Sequence, residues 1–137
     1  MSFRDILRVS LRADEGVKPF PYRDTTGHLT IGCGRNLDAV GLRPDEVTYL
    51  LENDIRAAEL VARALVPSFE RLTEARKAVV CNMAFNMGGE VLGTFRGTLR
   101  AIAEERWDDA AQGMLASKWA RQVGARAVRL AAEMRRG

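Results

Sequence analysis

The stretch Arg12–Gly34 reads RADEGVKPFPYRDTTGHLTIGCG, and it contains the change from helix to sheet that decides the fold. Ahead of it, apolar residues recur at helical spacing, which predicts a first helix over about Phe3–Asp14. Gly16 is a natural helix end, and the two prolines that follow prevent the helix from continuing. Glu15 therefore lies at the C-terminal end of the first helix.

The second half of the same stretch predicts a β-hairpin. Two short runs with strand character flank the turn sequence DTTG, in which Gly27 can adopt a positive φ angle. Along the second run, side-chain alternation places Ile31 on the face that we expect to be buried and Thr30 on the opposite face. Gly32 and Gly34 leave bare backbone that another molecule can approach.

After the hairpin, the sequence predicts helices with short joints between them. Pro44 suits the first turn of a long helix that continues without glycine or proline to about Leu65. Thr73 can cap a central, mostly apolar helix that ends near Gly88, and Thr94 can cap the helix after it. Two shorter helices are expected over about 108–116 and 124–135.

Composition and charge limit the class of protein. The chain has 137 residues, with 21 basic and 18 acidic residues and a formal net charge of +3. A mild positive charge favours an anionic partner, which includes nucleic acid, anionic lipid and an acidic wall polymer. Charged residues interrupt the N-terminal segment, so we expect neither a signal peptide nor stable membrane insertion.

The cysteines and the histidine do not form a recognisable metal motif. Cys33 and Cys81 are too few for a disulfide scaffold, and we expect both to be reduced and too far apart to bridge. The single histidine, His28, is adjacent to neither of them in sequence. The sequence therefore predicts no metal site.

Two carboxylates beside a cleft can hydrolyse a glycosidic bond, because one protonates the leaving oxygen while the other serves the attacking water or attacks carbon itself. Glu15 and Asp24 are nine residues apart. Their environments should differ, since Glu15 is at the negative end of a helix dipole while Asp24 is in a polar turn beside Arg23. Thr30 can hold a water molecule. From spacing alone, however, helix-end, turn and strand roles are the stronger interpretation.

The order DEG…PYRDTTGHLTIGCG resembles the phage-type lysozymes, glycoside hydrolase family 24. In that family a helix ends in a catalytic glutamate, and an aspartate and a threonine follow inside a D-T-x-G-x-x-T-I-G-x-G hairpin. Glu15, Asp24 and Thr30 match those positions without a gap. The similarity continues through ARKAVVCNMAFNMG, FRGTLRAI, RWDDAA and SKWARQVGARAVRL, and it covers nearly the whole chain in order.

The resemblance implies an α+β, lysozyme-like fold in one domain over residues 1–137. We expect a small β-hairpin lobe over about 12–43, a linking helix over about 44–65 and a larger all-helical lobe over about 66–137 that includes the N-terminal helix. The active-site cleft is expected between the two lobes.

The activity implied by the resemblance is that of a muramidase, which cleaves the β-1,4 bond between N-acetylmuramic acid and N-acetylglucosamine in peptidoglycan. Glu15 would be the general acid, and Asp24 with Thr30 would handle the attacking water, giving inversion. No metal or cofactor is needed. The role would be that of an endolysin in host cell lysis.

Substrate contacts in the helical lobe are also implied by the resemblance. They fall on Phe85, Asn86, Thr98, Gln122 and Arg126. In the family, the arginine can reach the catalytic glutamate. Two positions depart from the family pattern, because Arg35 stands where a histidine follows the G-x-G motif and Gly113 stands where a groove asparagine is found.

Other classes of protein stay open. The segment from Ser117 to Gly137 has six basic residues and one acidic residue, which suits DNA phosphates as well as an anionic cell wall. The alternatives are a basic helical nucleic-acid-binding protein and a catalytically silent wall-binding relative. For the muramidase we expect peptidoglycan as the partner, no nucleic acid, a monomer, and residence in the host cytoplasm before release to the periplasmic wall.

Overall fold

The computed structural model describes residues 1–137, which divide into two compact units, Met1–Tyr49 and Leu50–Gly137. The first unit contains a helix and a small antiparallel sheet, and the second is helical. The predicted α+β class is therefore confirmed. None of the helices is both long enough and apolar enough to cross a membrane.

Helix α1 spans Phe3–Glu15 and begins with a capping box. The Ser2 hydroxyl accepts from Asp5 N at 3.2 Å, while the Asp5 carboxylate accepts from Ser2 N at 2.9 Å. Gly16 ends the helix with a φ of 75°, a conformation that favours glycine. The predicted helix is confirmed, and Glu15 is its last residue.

Three antiparallel strands form the sheet, in the order β1 (Lys18–Arg23), β2 (Leu29–Gly32) and β3 (Arg35–Asn36). Gly27, in the turn between β1 and β2, has a φ of 85°. The predicted hairpin and its turn glycine are confirmed. The sheet gains its third strand from a segment too short to show a hydrophobic period, and the four-residue helix α2 (Leu37–Val40) follows it.

Helix α3 spans Pro44–Leu65, which confirms the predicted bounds. Its first turn is tied to β3 by Arg35, whose Nη1 and Nη2 donate to Glu46 Oε1 and Oε2 at 2.9 and 2.6 Å. These bonds, with a further one from Arg43 N, lower the pKa of Glu46 to about 2. Because this pKa is depressed in the folded state, the stabilisation is complete above pH 4.5 and is lost as the pH falls through about 2.

The second unit packs the remaining helices around one apolar core. Its core side chains run from Ala58 of α3 to Met134 in the last helix. Its elements after α3 are a 3₁₀ turn (Phe69–Arg71), α4 (Glu74–Gly93), α5 (Arg96–Ala103), α6 (Trp107–Leu115), α7 (Lys118–Val123) and α8 (Ala125–Arg136). The short helix α7 lies outside the predicted elements.

The ends of α4 test two predicted caps. The Thr73 hydroxyl accepts from Arg76 N at 3.2 Å, which confirms the N-cap. Gly88, with a φ of 81°, interrupts the helix near its predicted end. The predicted N-cap at Thr94 is wrong, because its hydroxyl instead donates to Val91 O at 2.6 Å and its backbone is helical.

One buried cation joins α4 to α8. Arg76 is 9% exposed, and its Nε and Nη2 donate to Met134 O at 2.8 Å and to Arg135 O at 3.0 Å. Its guanidinium carbon also lies 3.8 Å from the centre of the Trp107 ring. Arg76 thus satisfies carbonyls at the end of α8 that have no partner within the helix.

Candidate active site

Glu15 ends α1 with its carboxyl group against the turn between β2 and β3. A Cβ atom placed on Gly34 would lie 2.8 Å from Glu15 Oε2 and 2.9 Å from its Cδ. In this position the carboxyl group occupies space that a side chain at residue 34 would need, so glycine lets the two approach closely. We expected Gly34 to leave backbone bare for another molecule, but the group that approaches it is Glu15 of the same unit.

Asp24 opens the hairpin turn, and donors in the turn converge on one of its carboxylate oxygens. Asp24 Oδ1 accepts from Thr26 N at 2.9 Å, from Thr26 Oγ1 at 2.8 Å and from His28 N at 2.8 Å. The bond from His28 N, followed by the bond from the Thr26 hydroxyl, lowers the pKa of Asp24. Asp24 is therefore ionised at neutral pH, as the turn predicts.

Arg23 is not the source of this effect, although its position beside Asp24 suggests that it is. Arg23 Nη1 donates to Gly27 O at 3.2 Å and lies 3.6 Å from Asp38 Oδ2. The carboxylate of Asp24 is thus stabilised by hydrogen-bond donors of its own turn.

Thr30 lies in the middle strand, paired with Tyr22 on one side and Asn36 on the other. Its hydroxyl donates to His28 O at 2.9 Å, so further hydrogen bonds to Oγ1 must be ones that it accepts. Thr30 is 3% exposed while Ile31 is only half-buried, so the predicted choice of buried face is wrong. Alternation identifies the residues that share a face, but it does not identify the face that becomes covered.

Three of the five predicted substrate-binding residues line one cavity of the second unit. This cavity has a volume of about 960 Å³, and its lining includes Asn86, Thr98 and Gln122. Asn86 Oδ1 accepts from Trp119 Nε1 at 2.7 Å, which leaves the amide NH₂ group of Asn86 free to donate. Trp119 is buried, as expected of a core residue rather than a sugar platform.

The other two predicted residues, Phe85 and Arg126, line a separate concavity of about 390 Å³. Arg126 Nε and Nη2 both donate to Asn82 Oδ1, at 3.0 and 2.7 Å. Phe85 is 47% exposed, more than is usual for a core aromatic residue. The predicted substrate residues are thus divided between two depressions, and their contacts with substrate stay predictions.

The first cavity also shows why residue 113 is small. A Cβ atom on Gly113 would overlap with Thr98 Oγ1. We expect Gly113→Ala to lower the free energy of unfolding by about 1–3 kcal/mol, measured by denaturant unfolding. Gly97→Ala is the matched control, because a Cβ at that helical glycine has no neighbour within 4 Å.

The cause of the Gly113→Ala effect can be isolated with a double-mutant cycle. Replacing Thr98 by alanine removes the hydroxyl that the new methyl group meets. Gly113→Ala should therefore lower the free energy of unfolding by less in the Thr98→Ala background than in the wild type. If the two substitutions are additive, the overlap with Thr98 is not the cause.

The basic segment at the end of the chain is partly neutralised. Arg135 lies 3.7 Å from Asp108, and Arg136 pairs with Glu133. Both cysteines are free, Cys33 exposed and Cys81 half-buried.

Comparison with known proteins agrees with the predicted resemblance. Residues 12–136 match the Phage lysozyme family. Probable T4-type lysozyme 1 of Dictyostelium discoideum is 30% identical, over 88% of each chain, and probable T4-type lysozyme 2 is 28% identical, over 90% of each. The pre-baseplate central spike protein Gp5 of Enterobacteria phage T4 is 26% identical over 88% of this chain and 26% of that protein.

The fold and these matches define a glycoside hydrolase of the lysozyme class. The chain belongs to the phage lysozyme family, whose substrate is peptidoglycan.

Proposed function

We propose that the protein is an endolysin that hydrolyses the β-1,4 bond between N-acetylmuramic acid and N-acetylglucosamine, with Glu15 as general acid and Asp24 and Thr30 handling the attacking water. One observation carries this proposal, the contrast between the two carboxyl groups of the first unit. Asp24 accepts three hydrogen bonds that favour its charge, whereas Glu15 packs against Gly34 and accepts none. A carboxylate held by three donors suits the residue that serves the water, and a carboxyl group with no donor committed to it suits the residue that contacts the leaving oxygen.

The hydrogen-bond capacities indicate how the water would be held. Asp24 Oδ1 is occupied by three donors, so Oδ2 is the oxygen that can take a proton from water. Thr30 Oγ1 has already given its hydrogen to His28 O, so it can accept another. A water that donates to both acceptors presents a lone pair to the anomeric carbon.

Glu15 would complete the reaction by protonating the leaving oxygen. Attack by water on the face opposite the leaving group inverts the anomeric configuration. In this proposal the enzyme acts as a monomer, without a cofactor, and reaches the periplasmic wall from the host cytoplasm after release.

Analysis of the products of purified peptidoglycan tests this proposal against other cleavages. A muramidase releases muropeptides whose reducing end is N-acetylmuramic acid, which borohydride reduction and mass spectrometry identify. Reducing N-acetylglucosamine or 1,6-anhydro ends would show that another bond or another reaction is used. Sedimentation with the wall without soluble products would instead indicate the wall-binding alternative, and a DNA mobility shift would indicate the nucleic-acid-binding one.

A further inference from the structure

The hairpin turn contains a hydroxyl shared between Asp24 and the only histidine of the chain. Thr26 Oγ1 lies 2.8 Å from Asp24 Oδ1 and 2.6 Å from His28 Nδ1. The backbone of His28 also serves both neighbours, since its N–H donates to Asp24 Oδ1 and its carbonyl accepts from Thr30 Oγ1. His28 therefore contacts both groups that the proposed function assigns to the water, Asp24 and Thr30, while Thr26 contacts Asp24.

Counting hydrogens gives one consistent direction for each of these bonds. The Thr26 hydroxyl has one hydrogen, and an ionised carboxylate can only accept. That hydrogen is therefore donated to Asp24 Oδ1, and the contact between Thr26 Oγ1 and His28 Nδ1 needs a hydrogen on the histidine nitrogen. This arrangement places the hydrogen of the neutral His28 ring on Nδ1, which is the tautomer that the inference uses.

We propose that Thr26 and His28 are positioning residues, in which a chain of hydrogen bonds from His28 Nδ1 through Thr26 Oγ1 to Asp24 Oδ1 fixes the carboxylate and leaves Oδ2 free for the water. The inference rests on the proposed function, because it assumes that Asp24 serves the reaction. Both residues are exposed, so they hold Asp24 without being part of the core.

The charged groups around Asp24 determine how its pKa responds when this chain of hydrogen bonds is broken. His28 Nδ1 lies 3.7 Å from Asp24 Oδ2. Beside the turn, Arg23 and Asp38 lie 3.6 Å apart, and Asp38 also accepts from Leu29 N at 2.8 Å. The bond from Thr26 lowers the pKa of Asp24, so removing it should raise that pKa, and activity should then fail at a higher pH on the acid side.

The tautomer of His28 is directly observable, because the chain has a single histidine. Long-range ¹H–¹⁵N spectra of the labelled protein at about pH 8.5 should show the neutral ring with its hydrogen on Nδ1. Thr26→Val keeps the shape of the side chain but removes the hydroxyl, so the hydrogen should move to Nε2. The control is Thr25→Val, since Thr25 is exposed and its hydroxyl contacts neither group. A wild-type ring with its hydrogen on Nε2 would overturn the inference.

Kinetics on soluble peptidoglycan strands test the positioning role. Thr26→Val should lower kcat about tenfold with KM within about twofold of wild type, and it should shift the acid limb of the pH profile upward. Thr26→Ser should restore kcat and the acid limb of the pH profile, and Thr25→Val should behave as wild type. Asp24→Asn separates the two proposals. If that variant is active, the proposed function fails; if it is inactive but Thr26→Val has the wild-type kcat and pH profile, only the positioning role fails.

Discussion

Glu15→Gln is expected to lower the rate of peptidoglycan hydrolysis by at least about 100-fold, because general acid catalysis contributes roughly 10²–10⁴-fold and an amide cannot supply the proton. The amide has nearly the shape of the carboxyl group, so its packing against Gly34 should be kept. The measurement is the initial rate of turbidity loss of chloroform-treated Gram-negative cells. Circular dichroism and a thermal melt establish that the variant is folded.

The preceding residue supplies a matched control for this substitution. Asp14→Asn makes the same chemical change in the same last turn of α1, on a side chain that accepts a hydrogen bond from Ser10 of the same helix. It should lyse cells at close to the wild-type rate. Equal rates from Asp14→Asn and a folded Glu15→Gln protein would remove Glu15 from the mechanism.

Arg76→Met should have the largest effect on stability, lowering the free energy of unfolding by about 3 kcal/mol. The substitution leaves Met134 O, in a buried residue, and Arg135 O, at the half-buried end of α8, without their donors, and it removes the contact with Trp107. For a chain of this size, that loss corresponds to a fall of about 10 °C in Tm. Calorimetry of the variant and the wild type measures it.

A second arginine makes the comparison specific. Arg71 is exposed, and its guanidinium has no hydrogen-bond partner, so Arg71→Met should leave Tm nearly unchanged. Arg76→Lys should fall between wild type and Arg76→Met, because an ammonium group can supply one of the two bonds but cannot reproduce the planar fork. A Tm for Arg76→Met equal to that of Arg71→Met would show that the carbonyl contacts contribute nothing.

Local signals predicted the main elements of the fold. The bounds of α1 and α3 follow from apolar spacing and from the residues that begin or end a helix, and the N-cap of α4 follows from Thr73. β3, α2 and α7 are too short for a periodic pattern to form. Thr94 illustrates a second limit, because a threonine after a helix can serve that helix as well as the next, and the backbone conformation decides between them.

In the candidate site, too, some residues were predictable from the sequence and others were not. The resemblance to a family motif identified Glu15, Asp24 and Thr30 as candidates, since that motif is continuous in sequence. The hydrogen bonds that support Asp24 could not be predicted from the sequence, because Thr26 and His28 reach Asp24 only when the turn folds back on its carboxylate. The role of Gly34 was hidden for the same reason, since the carboxyl group that lies against it belongs to Glu15, nineteen positions earlier in the chain.

The contacts of Arg76 also affect the order in which the protein folds during its synthesis. Its carbonyl partners lie 58 and 59 residues further along the chain. At ribosomal rates of about 5–20 residues per second, the partners are made roughly 3–12 s after the arginine. During that interval α4 can form, but its buried cation has no partner in α8. The hydrogen bonds of α1 and of the sheet reach no further along the chain than Glu46, so these elements can form on the ribosome while the core of the second unit must wait.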